Sequence, residues 1–174
     1  YRIQIRPETP DFRLALFPQP PPRRDDTDRQ IHLWTPVLRR GSTIPVRVIA
    51  FRRDGFDGVI EIIAKGLPPG VMASPARVAQ GQAATTLMLT AADDAPAGRS
   101  VVQVTGRSRI GDRDIDRTAI ASSGRWHVPD WDQERGNPRF SESLQVAVVA
   151  AESAPVTLTP SETKPIEVAL KAKL

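Results

Sequence analysis

The chain has 174 residues, 24 basic against 20 acidic side chains, a net charge of +4 and no cysteine. Its length favours one domain, or one domain with pieces of its neighbours, and the missing thiols exclude a disulfide framework, a thiolate zinc site and a cysteine nucleophile. The two signs of charge are interspersed, as in Arg23-Arg24-Asp25-Asp26, whereas nucleic-acid-binding proteins usually concentrate positive charge on one face. We therefore expect no nucleic-acid partner.

Turn-forming residues divide the chain into short segments. There are 17 prolines and 11 glycines, and no window of about ten residues free of both carries the apolar stripe of an amphipathic helix. Apolar and polar residues alternate instead, which is typical of half-buried strands. The pattern predicts an all-β fold, an antiparallel β-sandwich.

The first segments predict two strands ahead of a proline-rich linker. Residues 1–6 alternate until Pro7, and residues 12–16 alternate as a lead-in strand. Residues 18–22 favour polyproline II, and a charged loop follows. No transmembrane run or lipidation motif occurs, so we expect no direct membrane insertion of this segment.

The sandwich is predicted from residue 31 onward. Strands are expected at residues 31–37, 44–53, 59–65, 71–79 (interrupted), 85–89, two between 100 and 121, and 144–148. Turns are expected at residues 39–42, 54–58, 66–70 and 93–98. The Pro-Pro-Gly corner at residues 66–70 must redirect the chain, because proline lacks the amide that would continue a ladder.

The register of one hairpin can be derived from its turn sequence. Gly111-Asp112 has the Gly-X form of a two-residue type II′ turn. Counting outward pairs Ile110 with Arg113, Arg109 with Asp114, Ser108 with Ile115 and Arg107 with Asp116. The opposite charges then share one face, and a slip of one residue would bury them, so they specify register more than stability.

Residues 126–139 break the alternation and contain the candidate binding residues. Trp126, His127 and Trp131 would form an exposed aromatic platform, as carbohydrate-binding sandwiches often present. Asp130 and Asp132 would be hydrogen-bond acceptors for sugar hydroxyls. The alternative, which we favour, is that a long loop buries its aromatic side chains against the sheet.

Two groups of aspartates have some features of a calcium site. Asp112, Asp114 and Asp116 have the rhythm of a calcium loop, but Arg117 and Ser123 stand where that loop needs glycine and glutamate. Strand-surface ion pairs explain them better.

The second group consists of turn aspartates. Asp54, Asp57, Asp93 and Asp94 fit ordinary turn chemistry. They would form a calcium site only if their two turns met at one end of the sandwich. We expect no metal and no cofactor.

Catalysis is not expected of this segment. His32 and His127 are the only histidines, and neither has a serine, cysteine or acidic partner in a recognisable arrangement. No nucleophile elbow, zinc-protease motif or phosphate loop is present.

The end of the chain echoes the first strand of the sandwich. Residues 42–48 (STIPVRV) and 162–168 (ETKPIEV) both place Thr two residues before Pro and β-branched residues one and three after it. The spacing from Pro45 to Pro165 is 165 − 45 = 120 residues. A period of this kind favours a tandem array of modules.

Several motifs together resemble a known family. They are Gly55-Phe56-Asp57-Gly58, Gly66-Leu67-Pro68-Pro69-Gly70-Val71, Ala79-Gln80-Gly81-Gln82 and the run from Ala91 to Gly98. This set resembles the immunoglobulin-like modules of large bacterial exported proteins, which often follow a pre-peptidase C-terminal domain whose last strand residues 1–6 resemble. The resemblance implies an extracytoplasmic spacer, adhesion or accessory module, with no catalytic residues to carry over. The paired cysteines of antibody domains are missing here.

The sequence thus predicts the following organisation: residues 1–6 as the terminal strand of a preceding domain, 7–30 as a proline-rich linker and lead-in strand, 31–150 as the immunoglobulin-like sandwich, and 151–174 as a linker and truncated start of a following repeat. The expected function is a non-catalytic spacer or interaction module of a large exported or cell-surface protein, located in the periplasm, at the cell surface or outside the cell. Its expected partners are neighbouring domains of the same chain and protein or polysaccharide at the cell surface. The alternative is a carbohydrate-binding accessory module that uses the loop from Trp126 to Trp131.

Overall fold

The structure, a computed structural model, describes residues 7–19, 35–122 and 140–152. In these ranges the chain is all-β, and its strands form an immunoglobulin-like sandwich of two sheets without a disulfide, which confirms the predicted fold class. The strands are β1 (Asp11–Pro18), β2 (Val37–Arg40), β3 (Thr43–Arg53), β4 (Ile60–Lys65), β5 (Val71–Ala73), β6 (Ala76–Val78), β7 (Ala84–Ala91), β8 (Gly98–Ile110), β9 (Arg113–Thr118), β10 (Ile120–Ser122), β11 (Phe140–Ser141) and β12 (Leu144–Glu152).

The strands are divided equally between the two sheets. The first sheet has the order β11-β10-β1-β3-β7-β5, and the second has the order β2-β12-β8-β4-β6 with β9 also paired to β8. Most neighbours are antiparallel, as predicted, but β1 runs parallel to β10 and β2 runs parallel to β12. Both parallel pairs join strands that are distant in the sequence, as parallel pairing requires.

The chain passes between the sheets at sharp turns. Between β2 and β3, the Ser42 amide donates to the Arg39 carbonyl at 3.0 Å. The predicted strand at residues 71–79 is two strands, β5 in the first sheet and β6 in the second. They are separated at Ser74-Pro75, where Pro75 has no amide to continue a ladder.

The Pro-Pro-Gly corner forms a type II turn. The Val71 amide donates to the Pro68 carbonyl at 3.0 Å, and Gly70 has a φ of 74°. A Cβ atom at Gly70 would also lie 2.9 Å from the Cα of Ala95. Glycine is therefore needed here both for its backbone conformation and for space.

The core lies between the sheets and contains the inward side chains of both. Its largest fully buried members are Phe12, Leu14, Leu16, Leu38, Val46, Val48, Ile60, Val78, Leu87, Leu89, Val102 and Val104. On β7, the predicted apolar positions Leu87 and Leu89 are both buried. Burial of such side chains contributes about 1.5–3 kcal/mol each relative to full exposure, which is the main stabilising effect in a sandwich of this kind.

Strand β1 belongs to the sandwich. The sequence interpretation placed it in the segment ahead of the sandwich, as a lead-in strand. In the structure β1 lies inside the first sheet, between β10 and β3, and pairs with β3 from Asp11↔Arg53 to Pro18↔Val46. The strand itself was predicted correctly. Its predicted position ahead of the sandwich was wrong, because its partner strands are remote in the sequence.

The hairpin of β8 and β9 has the derived register. Ile110 pairs with Arg113, and Arg107 pairs with Asp116. Gly111 has a φ of 59°, and Asp112 is not among the described non-glycine residues with positive φ. These values agree with the predicted type II′ turn.

The described polypeptide enters and leaves at opposite ends of β3. At the first end, the Thr9 amide donates to Asp54 Oδ2 at 3.2 Å, beside the last residue of β3. At the second end, Glu152 pairs with Arg40, just before β3 begins. We call these the entry end and the exit end.

The described ranges contain no helix long and apolar enough to cross a membrane. Residues 1–6 and the echoed segment at 162–168 lie outside the described part of the chain.

Candidate interaction surface

The predicted binding residues cannot be placed. Trp126, His127, Asp130 and Trp131 all lie outside the described residues. The described neighbours that bracket them are Ser122 at the end of β10 and Phe140 at the start of β11, which pair with each other.

The turn aspartates do not meet at one end of the sandwich, so the condition for a calcium site between them is not fulfilled. Asp54 and Asp57 follow the last residue of β3, at the entry end. Asp93 and Asp94 lie at the exit end, where the Gly41 amide donates to the Ala92 carbonyl just before β3 begins. β3 has 11 residues, so the two turns are separated by about 35 Å.

Arg52 fastens the turns at the entry end. Its guanidinium donates to three backbone carbonyls, those of Gly58 at 2.6 Å, Ala79 at 2.7 Å and Gln82 at 3.2 Å. It also lies 5.3 Å from the centroid of the Phe56 ring. This arginine and its partners hold loops together, which is a structural use of polar groups.

Asp57 takes part in the same fastening. Its Oδ1 lies 3.6 Å from Arg52 Nε and accepts from the Gly81 amide at 2.9 Å. The turn aspartate is therefore explained by loop geometry. In the described ranges, no group of three or more His, Cys, Asp or Glu is placed to hold a metal ion.

The outer face of the second sheet carries a row of alternating charges. Register places Asp116, Arg107, Glu61 and Arg77 side by side across β9, β8, β4 and β6. Arg107 donates to both carboxylate oxygens of Asp116, at 2.8 and 3.0 Å. These hydrogen bonds are the main reason that the pKa of Asp116 lies below its usual value. We call this row the charged ladder.

Another ion pair joins the second sheet to the first. Arg117 Nε of β9 donates to Asp11 Oδ1 of β1 at 2.9 Å. Partial burial raises the pKa of Asp11, but the hydrogen bonds from Arg117 and the Phe12 amide outweigh burial, aided by the charges of Arg117 and Arg53. The net result is a pKa below the ordinary value, so the folded state favours the carboxylate.

The central part of the outer face of the first sheet is apolar. Register aligns Ile120, Ala15, Ile49 and Ala84 in one row across β10, β1, β3 and β7. Aromatic side chains lie on the same face beside this row. The residues that define the apolar face are Ala15, Phe17, Ile49, Phe51, Ile120 and Phe140.

The apolar face is uneven. Ala15 at its centre is 7% exposed, whereas Ile120, Phe51 and Phe140 around it are 43%, 54% and 60% exposed. A small buried side chain among larger exposed ones leaves a shallow depression. Contiguous exposed apolar surface of this kind commonly marks an interaction site.

Two arginines flank the apolar face. Arg13 pairs across the strands with Phe51, and Arg47 pairs with Phe17. Both arginines are exposed, and in the described part of the chain neither has a carboxylate within ion-pair distance. The face therefore combines apolar side chains with two positive charges that no described carboxylate compensates.

The sequence interpretation missed this face, although a signal was present. Strand β1 contains Leu14-Ala15-Leu16-Phe17 and β3 contains Val48-Ile49-Ala50-Phe51, so both strands depart from alternation. A continuous apolar run is typical of a strand whose two faces are both apolar. Reading only the core-facing positions left Ile49 and Phe51 without an explanation.

The described residues also form two clefts. One of about 450 Å³ lies at the edge of the second sheet and is lined in part by Glu61 and Arg77 of the charged ladder. The other, of about 180 Å³, is lined in part by Ser141 and Ser143. Neither joins a nucleophile to a base among the described residues, so neither indicates a catalytic site.

No protein-family model and no curated protein matches this chain.

Proposed function

We propose that this chain is a non-catalytic immunoglobulin-like module that acts as a spacer and interaction domain in a large exported or cell-surface bacterial protein. The observation that carries the proposal is the path of the described polypeptide into and out of the sandwich. The described polypeptide enters beside Asp54 and leaves beside Arg40, at opposite ends of β3. A module with this path can be joined to its neighbours head to tail.

The expected length of one module follows from β3. Its 11 residues correspond to about 35 Å along the strand direction. Entry and exit on one end would instead make neighbouring modules fold back on each other. The path of the chain therefore favours extension, which is what a spacer needs.

The polar contacts support a structural role. Arg52 and Asp57 tie together the turns at the entry end, and Arg117 ties β9 to Asp11 of β1. These contacts stiffen the module at the end where a preceding domain would join. Stiffness at a junction is required of a spacer that transmits distance.

The spacer proposal can be tested with two copies of the full chain joined end to end. Small-angle X-ray scattering should show a maximum dimension that grows by about one module length, roughly 35–40 Å at the strand rise, relative to the single chain. Two copies separated by a long Gly/Ser insert serve as the flexible control. A tandem protein as compact as two modules packed side by side would contradict the proposal.

The location can be tested in the source cells. We expect the parent protein in the periplasm, on the cell surface or in the medium, detected by fractionation and by protease treatment of intact cells. Recovery only with cytoplasmic markers would exclude an extracytoplasmic role.

A glycan array separates the spacer from the sugar-binding alternative. The spacer proposal expects no glycan signal from the wild type or from Trp131→Ala. A defined polysaccharide that binds the wild type and loses binding in Trp131→Ala would replace the passive role with carbohydrate recognition.

A further inference from the structure

The structure assigns the apolar face of the first sheet as a docking surface for a protein partner that presents apolar side chains flanked by carboxylates. This inference deepens the interaction part of the proposed function and rests on it. It concerns the side of the sandwich, whereas the spacer role concerns its two ends. The two can therefore fail separately.

The two outer faces differ in how their charges are paired. On the second sheet, outward charges are matched across strands in the charged ladder, with Arg107 bound to Asp116. On the first sheet, Arg13 and Arg47 lie opposite aromatic residues instead of carboxylates. An outward face that is both apolar and unpaired in charge is incompletely satisfied by the residues of the module that the structure describes.

The charge gives the chemistry of the partner. Arg13 lies beside Phe51 and Arg47 beside Phe17, so each cation adjoins an aromatic ring of the apolar face. An incoming carboxylate would pair with a guanidinium while its neighbouring apolar side chain is buried on the sheet. Carboxylates at the rim would give orientation and association rate, and the apolar contacts would give most of the affinity.

The shape of the apolar face favours a protein partner over a membrane. Ala15 at the centre is almost fully buried, and the more exposed Phe51 and Phe140 stand around it. A depression accepts a projecting side chain, as in the central pockets of protein interfaces. Membrane insertion instead needs a projecting apolar surface that enters the lipid.

A second copy of the chain fits the face poorly. Two apolar faces stacked about a twofold axis would present the same arginines, Arg13 and Arg47, to one another, and Asp11, the carboxylate on the same side of β1, is already bound by Arg117. Like charges brought together at an interface oppose association. A partner with acidic groups does not meet this repulsion.

The experiment uses single-cysteine variants, because the chain has no native cysteine. Thr86→Cys, which pairs with Arg47 at the rim of the face, carries an environment-sensitive fluorophore. Val101→Cys, exposed on the second sheet, carries the same fluorophore as the control. The probe is a short synthetic peptide in which Asp alternates with Leu and Phe, and its matched control has Asn in place of Asp.

The expected result is saturable binding of the acidic peptide, reported at position 86 and not at position 101. Arg47→Glu should weaken binding about fivefold or more, in line with loss and reversal of an exposed ion pair. Phe51→Ala should weaken it about tenfold, whereas Arg77→Glu on the charged ladder should leave it unchanged. Far-ultraviolet circular dichroism and urea unfolding of each variant show whether it is folded.

Four outcomes would overturn the inference: no response at position 86, equal binding of the Asn peptide, equal responses at both labels, or a response only to anionic phosphatidylglycerol vesicles. Concentration-dependent dimerisation abolished by Phe51→Ala would assign the face to a second copy instead, and would also overturn it. The four binding outcomes leave the scattering dimension of the tandem protein unchanged. Scattering below the concentration at which copies associate keeps the spacer test separate from the dimerisation outcome.

Discussion

Gly106 lies in the middle of β8, on the side that faces the first sheet. A Cβ atom there would overlap Leu14 Cδ1 and would lie 2.8 Å from Ile60 Cγ2 and 3.1 Å from Phe12 Cε2. These three neighbours are themselves fully buried and have no open space to move into. The glycine is therefore the point where the two sheets approach each other most tightly among the described glycines.

We expect Gly106→Ala to destabilise the fold by about 1–3 kcal/mol, the usual cost of overpacking a core. Urea unfolding followed by circular dichroism measures this. Gly98→Ala, in the same strand with nothing within 4 Å of the added Cβ, is the control and should change stability by less than about 1 kcal/mol. Equal effects of the two substitutions would show that sheet separation is not set at Gly106.

Asp11 makes stability depend on pH at the acidic end. Its pKa in the folded protein is lowered from the ordinary value of 3.8, so the carboxylate is favoured by folding. The contribution is complete above about pH 5 and is lost as the pH falls through the folded pKa. Because both partners are partly exposed, the pair should contribute less than about 1 kcal/mol.

Asp11→Asn should lower the urea midpoint at neutral pH and reduce the loss of stability between about pH 5 and pH 2. Unfolding curves across that range, for the variant and for wild type, provide the comparison. Asp93→Asn, at an exposed turn position, is the matched control. An unchanged acid dependence in Asp11→Asn would mean that other carboxylates govern acid unfolding.

At the scale of elements, the β8–β9 hairpin is determined locally. Its turn sequence, Gly111-Asp112, specified the pairing from Ile110↔Arg113 to Arg107↔Asp116. The outward charges agree with that register, and Arg107 and Asp116 are hydrogen-bonded. Turn geometry and strand pattern thus specify the same register, which explains why local sequence was sufficient.

Gly111→Ala should destabilise the protein by about 1 kcal/mol, because a φ of 59° is unfavourable for a residue with a Cβ atom. No atom lies within 4 Å of the added Cβ, so the cost is conformational and not steric crowding. Asp112→Ala is the control and should be nearly neutral, since that side chain is exposed. Urea midpoints that fall equally in both variants would argue against the type II′ turn.

At the scale of the whole molecule, β1 joins the two parts of the first sheet. It pairs along its full length with β3 and in parallel with β10. Without it, the short strands β10 and β11 would have no connection to the rest of the first sheet. The predicted lead-in segment is therefore required for the fold.

A chain lacking residues 1–19 should lose cooperative unfolding, because an interior strand and three large core side chains are removed. A synthetic peptide of residues 7–19 added in trans should restore it, as should the peptide with exposed Arg13→Ala. The peptide with Leu14→Asp, which places a carboxylate in the core, should not. Cooperative unfolding of the truncated chain at the wild-type urea midpoint would show that β1 is dispensable.

The apolar face shows the limit of prediction from sequence for the candidate site. Continuous apolar runs in β1 and β3 indicated that both faces were apolar, but a run does not say whether the second face is covered. Only the sheet order places Ile120 beside Ala15 and Phe51 beside Arg13. The surface exists because strands from four parts of the chain meet there.

The sequence by itself determined the all-β class, the turn positions and the register of the hairpin, because alternation, Gly/Pro chemistry and cross-strand charge act over a few residues. The tertiary structure alone decided that β1 is an interior strand, that the turn aspartates lie at opposite ends, and that one outer face is apolar. These properties depend on pairing between residues far apart in the chain. The pattern of a strand indicates which of its side chains favour burial. It does not indicate which remote strand covers them.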